Sequence, residues 1–231
     1  MTREEERHLL TQLYRAHPWH GVSIGEGQPE LVNAYVEIVP TDTVKYELDK
    51  ETGILKIDRP QKFSNVCPAL YGFIPQTLCM ERVGDYCKEK LQRLDIVGDG
   101  DPLDICIFAE RPISRGDLLI RAIPIGGFRM LDGDEADDKI IAVLEKDLVY
   151  GKIREVAECP VSLINRLRHY FLTYKAVPSS VPGGPGKELR VEIAAVYGRE
   201  EAHEVIRLAL ADYRAHYKAV YEARARDHGG E

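Results

Sequence analysis

Three carboxylates stand within six residues of the sequence, in the segment Asp99-Gly100-Asp101-Pro102-Leu103-Asp104. In an extended chain Asp104 would point away from the other two acids, because side chains alternate between the two faces. Gly100 and Pro102 supply a turn that lets the three acids converge on one point. Converging carboxylates repel each other and are tolerated mainly where hard cations such as Mg²⁺ or Ca²⁺ neutralise them. The segment therefore predicts a cation site at the start of the apolar run 105–108.

A second acidic cluster, Asp132-Gly133-Asp134-Glu135-Ala136-Asp137-Asp138-Lys139, lies between two predicted strands. A lone acidic loop is usually only solvated charge, but beside the first cluster it could complete a site for several cations. Neither cluster is an EF-hand calcium loop, because the glycine required at the sixth position is Asp104 in the first and Asp137 in the second.

A complementary set of cationic and phenolic side chains is spread along the chain. Each of them alone is more typical of a surface charge or a half-buried tyrosine. Next to a metal cluster held by carboxylates, they would bind an anionic substrate rich in oxygen, for which polyphosphate is the natural candidate. The set comprises Lys45, Arg59, Tyr71, Lys139, Tyr174 and Lys175.

The composition is that of an ordinary globular protein, with 44% hydrophobic and 30% charged residues among 231. The charged start of the chain lacks the apolar core of a signal peptide, and no apolar run reaches the length of a membrane span. We therefore expect a cytoplasmic location. The net charge of −7 argues against a nucleic-acid partner. The five cysteines contain no Cys-x-x-Cys pair, so we expect reduced thiols.

Many short strands separated by glycine and proline predict a closed barrel rather than a doubly wound sheet. Residues 49–53 form a predicted hairpin turn between two of these strands. Helices are predicted at 3–16, from Pro160 onward and over 200–221, with the last packing across the barrel. Residues 76–98 are interpreted as a solvated loop or hairpin, residues 177–186 as a loop, and the segment from His17 to His20 as a packed turn around Trp19. The predicted strands are 34–39, 44–48, 54–57, 71–74, 103–108, 118–123, 125–130, 140–144 and 189–196.

The sequence resembles the soluble family I inorganic pyrophosphatases over roughly residues 34–197. Segment 99–104 is similar to the family signature, and segments 44–49, 58–59, 71–75, 132–139 and 169–175 match its other motifs in the same order. The resemblance implies a five-stranded OB-like closed barrel with flanking C-terminal helices, in the α+β class and mainly β. We expect a single domain over residues 1–231, with an N-terminal extension at 1–33, an insertion at 76–98 and a C-terminal helix at 199–226.

The resemblance also implies an activity, which is Mg²⁺-dependent hydrolysis of pyrophosphate to two phosphates, with several ions per site, in a homo-oligomer. Asp101 would be the base that orients and deprotonates the attacking water. Tyr71 would line the site. The implied metal ligands are Asp99, Asp104, Asp132 and Asp137, with Glu37 contributing to an outer metal through water. The implied phosphate-binding residues are Lys45, Arg59, Lys139, Tyr174 and Lys175.

Two other functions stay open at this point. An enzyme on the same scaffold could hydrolyse another phosphoanhydride, such as tripolyphosphate or a nucleotide, although no platform for stacking a base is visible. A non-catalytic acidic metal-binding module would bind Ca²⁺ without turnover and would not need the cationic set. Phosphate release from pyrophosphate separates all three.

Overall fold

The structure is a computed structural model that describes residues 15–62, 64–175 and 191–219. The described residues form a mainly-β fold of ten strands, three α-helices and a 3₁₀ turn at Val156–Glu158. The helices are α1 (Glu81–Leu91), α2 (Val161–Thr173) and α3 (Arg199–His216). The strands are β1 (Val32–Ile38), β2 (Val44–Leu48), β3 (Leu55–Pro60), β4 (Leu70–Phe73), β5 (Val97–Gly98), β6 (Asp104–Phe108), β7 (Leu118–Asp132), β8 (Glu135–Ala136), β9 (Lys139–Leu144) and β10 (Val191–Gly198).

Five of the strands pair in a ring. Strand β1 is antiparallel to β4, β4 is antiparallel to β6, and β6 is parallel to β9. Strand β9 is antiparallel to β7, which closes the ring by pairing with β1. The 15 residues of β7 replace two predicted strands, since the chain continues through a register shift between Pro124 and Gly126 instead of ending there.

Strands β2 and β3 form a separate hairpin in which Lys45 lies directly opposite Arg59. The predicted turn between them is confirmed, because the Gly53 amide donates to the Asp49 carbonyl at 2.8 Å. Gly53 has a φ of +70°, a conformation that glycine adopts without steric cost. The hairpin therefore presents two cations side by side on one ribbon.

Helices α2 and α3 bury the sheet with their apolar faces. Val205 and Ile206 of α3 pack with Ala122 of β7, so the last helix packs on the sheet, where the sequence predicted packing across a barrel. On α2, Leu167 and Phe171 are buried together with Ile141 of β9. The predicted helix at 3–16 lies outside the described residues except for its last two positions. The predicted loop at 177–186 and the end of the predicted last helix also lie outside the described residues.

The prediction of a solvated loop or hairpin for residues 76–98 is wrong, because the segment contains α1. Val83 and Cys87 of α1 are buried. The N-terminal amides of the helix donate to the carboxylate of Asp212 in α3, from Arg82 at 3.1 Å and from Val83 at 3.3 Å. The capping group lies 130 residues beyond Arg82 in the sequence, so no neighbouring residue supplies the N-cap of this helix.

The packed turn around Trp19 is confirmed. The Trp19 side chain is buried, and its indole donates to the Thr77 carbonyl at 2.8 Å. All five cysteines lie in described segments and are buried and free of disulfides. None of the described helices combines the length and the apolar character that crossing a membrane requires.

Candidate active site

A cleft of about 220 Å³ lies where β6 and β9 begin and β7 ends. The structure brings together in this cleft every side chain that the sequence analysis proposed for the site, although their individual roles stay predictions. These twelve lining residues are Glu37, Lys45, Arg59, Tyr71, Asp99, Asp101, Asp104, Asp132, Asp137, Lys139, Tyr174 and Lys175.

Strand pairing explains why residues so distant in sequence meet. Asp104 is the first residue of β6 and lies opposite Lys139, the first residue of the parallel strand β9. Asp132 ends β7, which is antiparallel to β9, so it reaches the same edge. Tyr71 of β4 donates its phenol proton to Asp104 Oδ2 at 2.6 Å. One edge of the ring therefore collects carboxylates, a lysine and a tyrosine.

The turn at residues 99–102 has the geometry that the sequence predicted. Gly100 has a φ of +75°, and the Asp101 amide donates to Asp99 Oδ1 at 2.9 Å. Two backbone hydrogen bonds of 2.8 Å, between Gly100 and Cys79 and between Cys79 and Asp101, attach this turn to the start of the α1 segment. The turn therefore presents both carboxylates to the cleft from a backbone that is fixed at two points.

Two lysines are in contact with three of the carboxylates at the sheet edge. The Lys139 ammonium, which is 2% exposed, contacts both Asp104 and Asp137. The Lys175 ammonium contacts Asp132. Burial opposes the charge on Lys139, but the carboxylates of Asp104 and Asp137 raise the pKa of its ammonium well above the ordinary range. These lysines are therefore charged groups inside a cluster of acids.

The opposite wall of the cleft comes from the β2–β3 hairpin and the end of α2. Lys45 Nζ and Arg59 Nη1 both approach Asp58 Oδ2, at 3.0 Å and 2.8 Å. The Arg59 guanidinium lies 6.0 Å from the centroid of the Tyr174 ring. Burial raises the pKa of the Tyr174 phenol. The Tyr174 phenol therefore keeps its proton and can donate a hydrogen bond into the cleft.

Several carboxyl groups of the cleft hold their protons unusually tightly. Burial raises the pKa of Glu37 to about 8, although the Leu48 amide donates to its Oε1 at 2.7 Å. Burial and the neighbouring Asp137 raise the pKa of Asp99 to about 8. Burial also raises the pKa of Asp137. The cleft therefore favours the neutral form of these acids unless positive charge is added.

Sequence reasoning missed three charged residues that line the same cleft, which are Glu47, Lys50 and Glu135. Lys50 is the most informative, because its ammonium contacts the carboxylate of Asp101. Lys50 directly follows the motif at 44–49, and Glu135 lies within the second acidic cluster. Their positions beside recognised motifs were therefore the signal in the sequence that could have identified these two residues. Only the fold of the hairpin places Lys50 over the 99–104 turn.

A family model described as inorganic pyrophosphatase matches residues 34–214. The chain belongs to the inorganic pyrophosphatase family. The curated inorganic pyrophosphatase of Chlamydia trachomatis serovar L2 is 55% identical over 203 residues, which cover 88% of this chain and 96% of that protein. The soluble inorganic pyrophosphatase 1 of Arabidopsis thaliana is 40% identical over 171 residues, which are 72% of each chain. These findings confirm the family that the motifs predicted.

The fold agrees with solved pyrophosphatase structures. The crystal structure of inorganic pyrophosphatase from Thermus thermophilus superimposes with a TM-score of 0.69 and 26% sequence identity. The match covers 86% of this chain and 99% of that one. The part of this chain that lies outside the match has no counterpart in the shorter bacterial protein.

Membership of the pyrophosphatase family implies a divalent metal cofactor, and the donor set of the cleft fits one. Among the described residues the cleft contains eight carboxyl groups and five cationic side chains, and carboxyl groups are the oxygen donors that Mg²⁺ prefers. As placed, no three Asp, Glu, His or Cys side chains of the described segments surround a common point at ligand distance. Ammonium groups such as those of Lys139 and Lys175 lie among the acids, so a divalent cation would compete with them.

Proposed function

We propose that the chain hydrolyses inorganic pyrophosphate to two orthophosphates in a Mg²⁺-dependent reaction that uses several ions per site. The observation that carries this proposal is the single cleft in which eight carboxylates and five cationic side chains converge. Carboxylates suit divalent cations, and lysine and arginine suit the oxygens of a phosphoanhydride. The family match and the names of the relatives support the same reaction.

The metal would be held by acids that the sheet edge and the 99–104 turn present. When bound, the cations supply neutralisation of charge on the phosphoryl oxygens and make the attacking water more acidic. The raised pKa values of Glu37 and Asp99 support such a role, because a bound cation would stabilise the ionised carboxylates that burial disfavours. The proposed ligands are Asp99, Asp104, Asp132 and Asp137, with Glu37 contributing through water.

The side chains of this chain perform the remaining steps. Asp101, which the 99–102 turn projects into the cleft, orients the attacking water and accepts its proton. Tyr71 holds Asp104 through its phenol, which keeps that carboxylate aimed at the cleft. Fixed cations around the substrate hold both phosphates in line, and such positioning with charge stabilisation is the main source of catalysis in phosphoryl transfer. The proposed phosphate-binding residues are Lys45, Arg59, Lys139, Tyr174 and Lys175.

The finer description of the molecule also belongs to this proposal. We infer that the ring of β1, β4, β6, β9 and β7 is the five-stranded OB-like closed barrel expected from the family, which its cyclic pairing supports. A single domain over residues 1–231, a homo-oligomer, a cytoplasmic location and the absence of a nucleic-acid partner stay predictions from the sequence.

Phosphate release from pyrophosphate, tripolyphosphate and a nucleoside triphosphate, each with millimolar Mg²⁺, tests the function. We expect pyrophosphate to be the preferred substrate. Asp101→Asn should lower turnover by roughly 10²- to 10⁴-fold, because the variant keeps the size of the side chain but loses the base. Asp95→Asn is the matched control, since Asp95 is an exposed carboxylate paired with Arg93 at 2.9 Å.

Three outcomes would change the proposal. Preference for tripolyphosphate or the nucleotide would point to another phosphoanhydride hydrolase. Metal binding without release of phosphate from any substrate would point to a non-catalytic module. Near-normal turnover in Asp101→Asn would leave the reaction in place and move the base to another residue.

A further inference from the structure

A buried ion pair lies behind the cleft, in the layer between the sheet and α3. Arg129 of β7 and Asp138, which connects β8 to β9, are 2% and 3% exposed. Arg129 Nη2 lies 3.3 Å from Asp138 Oδ2, and the Tyr197 phenol donates to the same oxygen at 3.0 Å. Arg129 Nη1 donates to Glu201 Oε1 of α3 at 2.9 Å. The ion pair therefore joins the second acidic cluster to the last strand and the last helix.

Two aromatic rings flank the Arg129 guanidinium. Its central carbon lies 5.2 Å from the ring centroid of Tyr86 in α1 and 5.1 Å from that of Tyr197 in β10. Lys90 of α1 also approaches Glu201, at 3.8 Å. The helix α1 in the 76–98 insertion therefore takes part in the same network.

Stability alone does not account for this pair. Removing two charges from water costs free energy that their attraction often fails to recover, and apolar replacements of similar volume are often neutral or stabilising. The cost is visible here, because Arg129 Nε and Asp138 Oδ1 have no hydrogen-bond partner among the described residues. The pair is better explained by what it holds in place.

The segment that it holds carries two side chains of the proposed site. Asp137 and Lys139 line the cleft while Asp138 between them is buried in the core, as expected where successive side chains alternate between faces. The two residues of β7 that flank Arg129 also contact the backbone of residues 137–139. The Asp137 amide donates to the Met130 carbonyl at 2.9 Å, and Lys139 lies opposite Phe128.

We propose that Arg129 and Asp138 are positioning residues for the pyrophosphatase site. Arg129 holds the Asp138 side chain in the core and thereby fixes which face of the segment 137–139 each side chain occupies. Asp137 and Lys139 therefore both face the cleft. The rings of Tyr86 and Tyr197 on either side restrict the movement of the Arg129 guanidinium. The kinetic part of this inference rests on the proposed function.

The test compares Arg129→Met, Arg129→Lys and Asp138→Asn with the core variant Ile206→Ala. Ile206 is fully buried on α3, so its truncation lowers stability without touching the network. We expect Arg129→Met and Asp138→Asn to lower kcat by roughly 10- to 100-fold, since displacement of catalytic groups by about 1 Å has effects of that size. Arg129→Lys should recover part of the loss, and Ile206→Ala should keep wild-type kcat at a lower melting temperature.

Amide hydrogen exchange supplies a readout that does not depend on activity. In Arg129→Met and Asp138→Asn, exchange should accelerate at residues 136–140 beyond any change in the rest of the sheet. In Ile206→Ala the acceleration should not be concentrated there. Exchange in the variants that matches wild type at 136–140 would overturn the positioning role.

The failures of the two proposals are distinguishable. If wild-type protein hydrolyses pyrophosphate and Arg129→Met and Asp138→Asn keep its kcat, the positioning role is wrong and the function stands. If wild-type protein releases no phosphate, the function is wrong, and the exchange measurement still decides whether the pair fixes the segment. If Arg129→Met does not fold, Arg129→Lys and Asp138→Asn carry the same comparison.

Discussion

Each lysine of the sheet edge has two possible partners, an acid or a phosphate. Lys139 contacts Asp104 and Asp137, and Lys175 contacts Asp132. A divalent cation attracts the same carboxylates more strongly than an ammonium does, because it carries twice the charge. Metal binding would therefore release the lysines toward the substrate.

Arg59→Ala tests the assignment of a phosphate-binding cation. We expect kcat/KM to fall by about 10- to 100-fold, the size expected for loss of one charge-assisted hydrogen bond. The Mg²⁺ dissociation constant, measured by calorimetry without substrate, should be unchanged. Lys56→Ala is the matched control, since Lys56 lies on the same strand β3 and pairs with Asp49 at 3.1 Å. Weakened Mg²⁺ binding in Arg59→Ala would remove this residue from the phosphate-binding set.

Glu37 should make the metal-free protein less stable as the pH rises. Burial raises its pKa from 4.5 to about 8, so between these values the folded chain keeps a proton that the unfolded chain has lost. Since the unfolded state binds fewer protons in this window, the free energy of unfolding falls with increasing pH. Asp99, with its pKa raised to about 8, acts in the same direction.

Thermal melts in EDTA between about pH 5 and pH 8 measure this effect. The melting temperature of Glu37→Gln should fall less steeply with pH than that of wild type, because the amide does not titrate. Glu204→Gln, which changes an exposed acid of α3, should keep the wild-type slope. Identical slopes in wild type and Glu37→Gln would mean that Glu37 is already ionised in the folded protein.

At the scale of elements, α1 shows how a residue distant in the sequence completes a helix. No side chain close to Met80 in the sequence caps the helix, and Gly84 within it has a low helix propensity. A Cβ at Gly84 would lie 2.8 Å from the Gly98 amide nitrogen, so glycine permits the close approach of α1 to β5. The cap comes from Asp212 of α3, whose side chain is 1% exposed. The segment interpreted as a loop is therefore a helix whose N-terminus is capped by α3 and whose Gly84 allows close contact with β5.

Asp212→Ala should destabilise the protein by about 2–4 kcal/mol, since it leaves backbone amides of α1 without their acceptor and removes the partner of Arg82. The midpoint of urea unfolding measures the change. Asp85→Ala is the control on the same helix, because Asp85 forms only an exposed pair with Lys88 at 2.8 Å and should change stability little. Equal midpoints for the two variants would show that the Asp212 cap does not hold α1.

At the scale of the whole molecule, folding concentrates acids that an unfolded chain keeps apart. Cations that bind this cleft bind only the folded state, so Mg²⁺ should stabilise the protein by mass action. At a free concentration about 100 times the dissociation constant the gain is about 2.7 kcal/mol. For 231 residues this corresponds to a rise in melting temperature of roughly 5–10 °C.

Asp104→Asn should reduce that rise, because it removes one proposed ligand from the sheet edge. Asp134→Asn is the matched control in the second acidic cluster, where Asp134 is exposed and lies 3.7 Å from Arg93. Melts across a Mg²⁺ titration measure both variants. A full Mg²⁺ shift in Asp104→Asn would exclude this carboxylate as a ligand.

The sequence by itself determined which residue types could form the site and much of the strand content. Glycine and proline around Asp101 signal a turn, and carboxylates together with lysine and arginine predict binding of metal and phosphate, because these properties depend on residue type and short spacing. Short apolar runs bounded by glycine, proline and polar residues predicted most strands to within three residues of their observed ends.

Only the tertiary structure decided which groups distant in the sequence meet. The contact of Lys50 with Asp101, the cap of α1 by Asp212, and the burial of Arg129 against Asp138 each depend on strand pairing or helix docking. The sequence does not distinguish a charged side chain that is exposed to water from one that is buried against a partner. The physical difference is desolvation, which exists only once the chain has folded around the group.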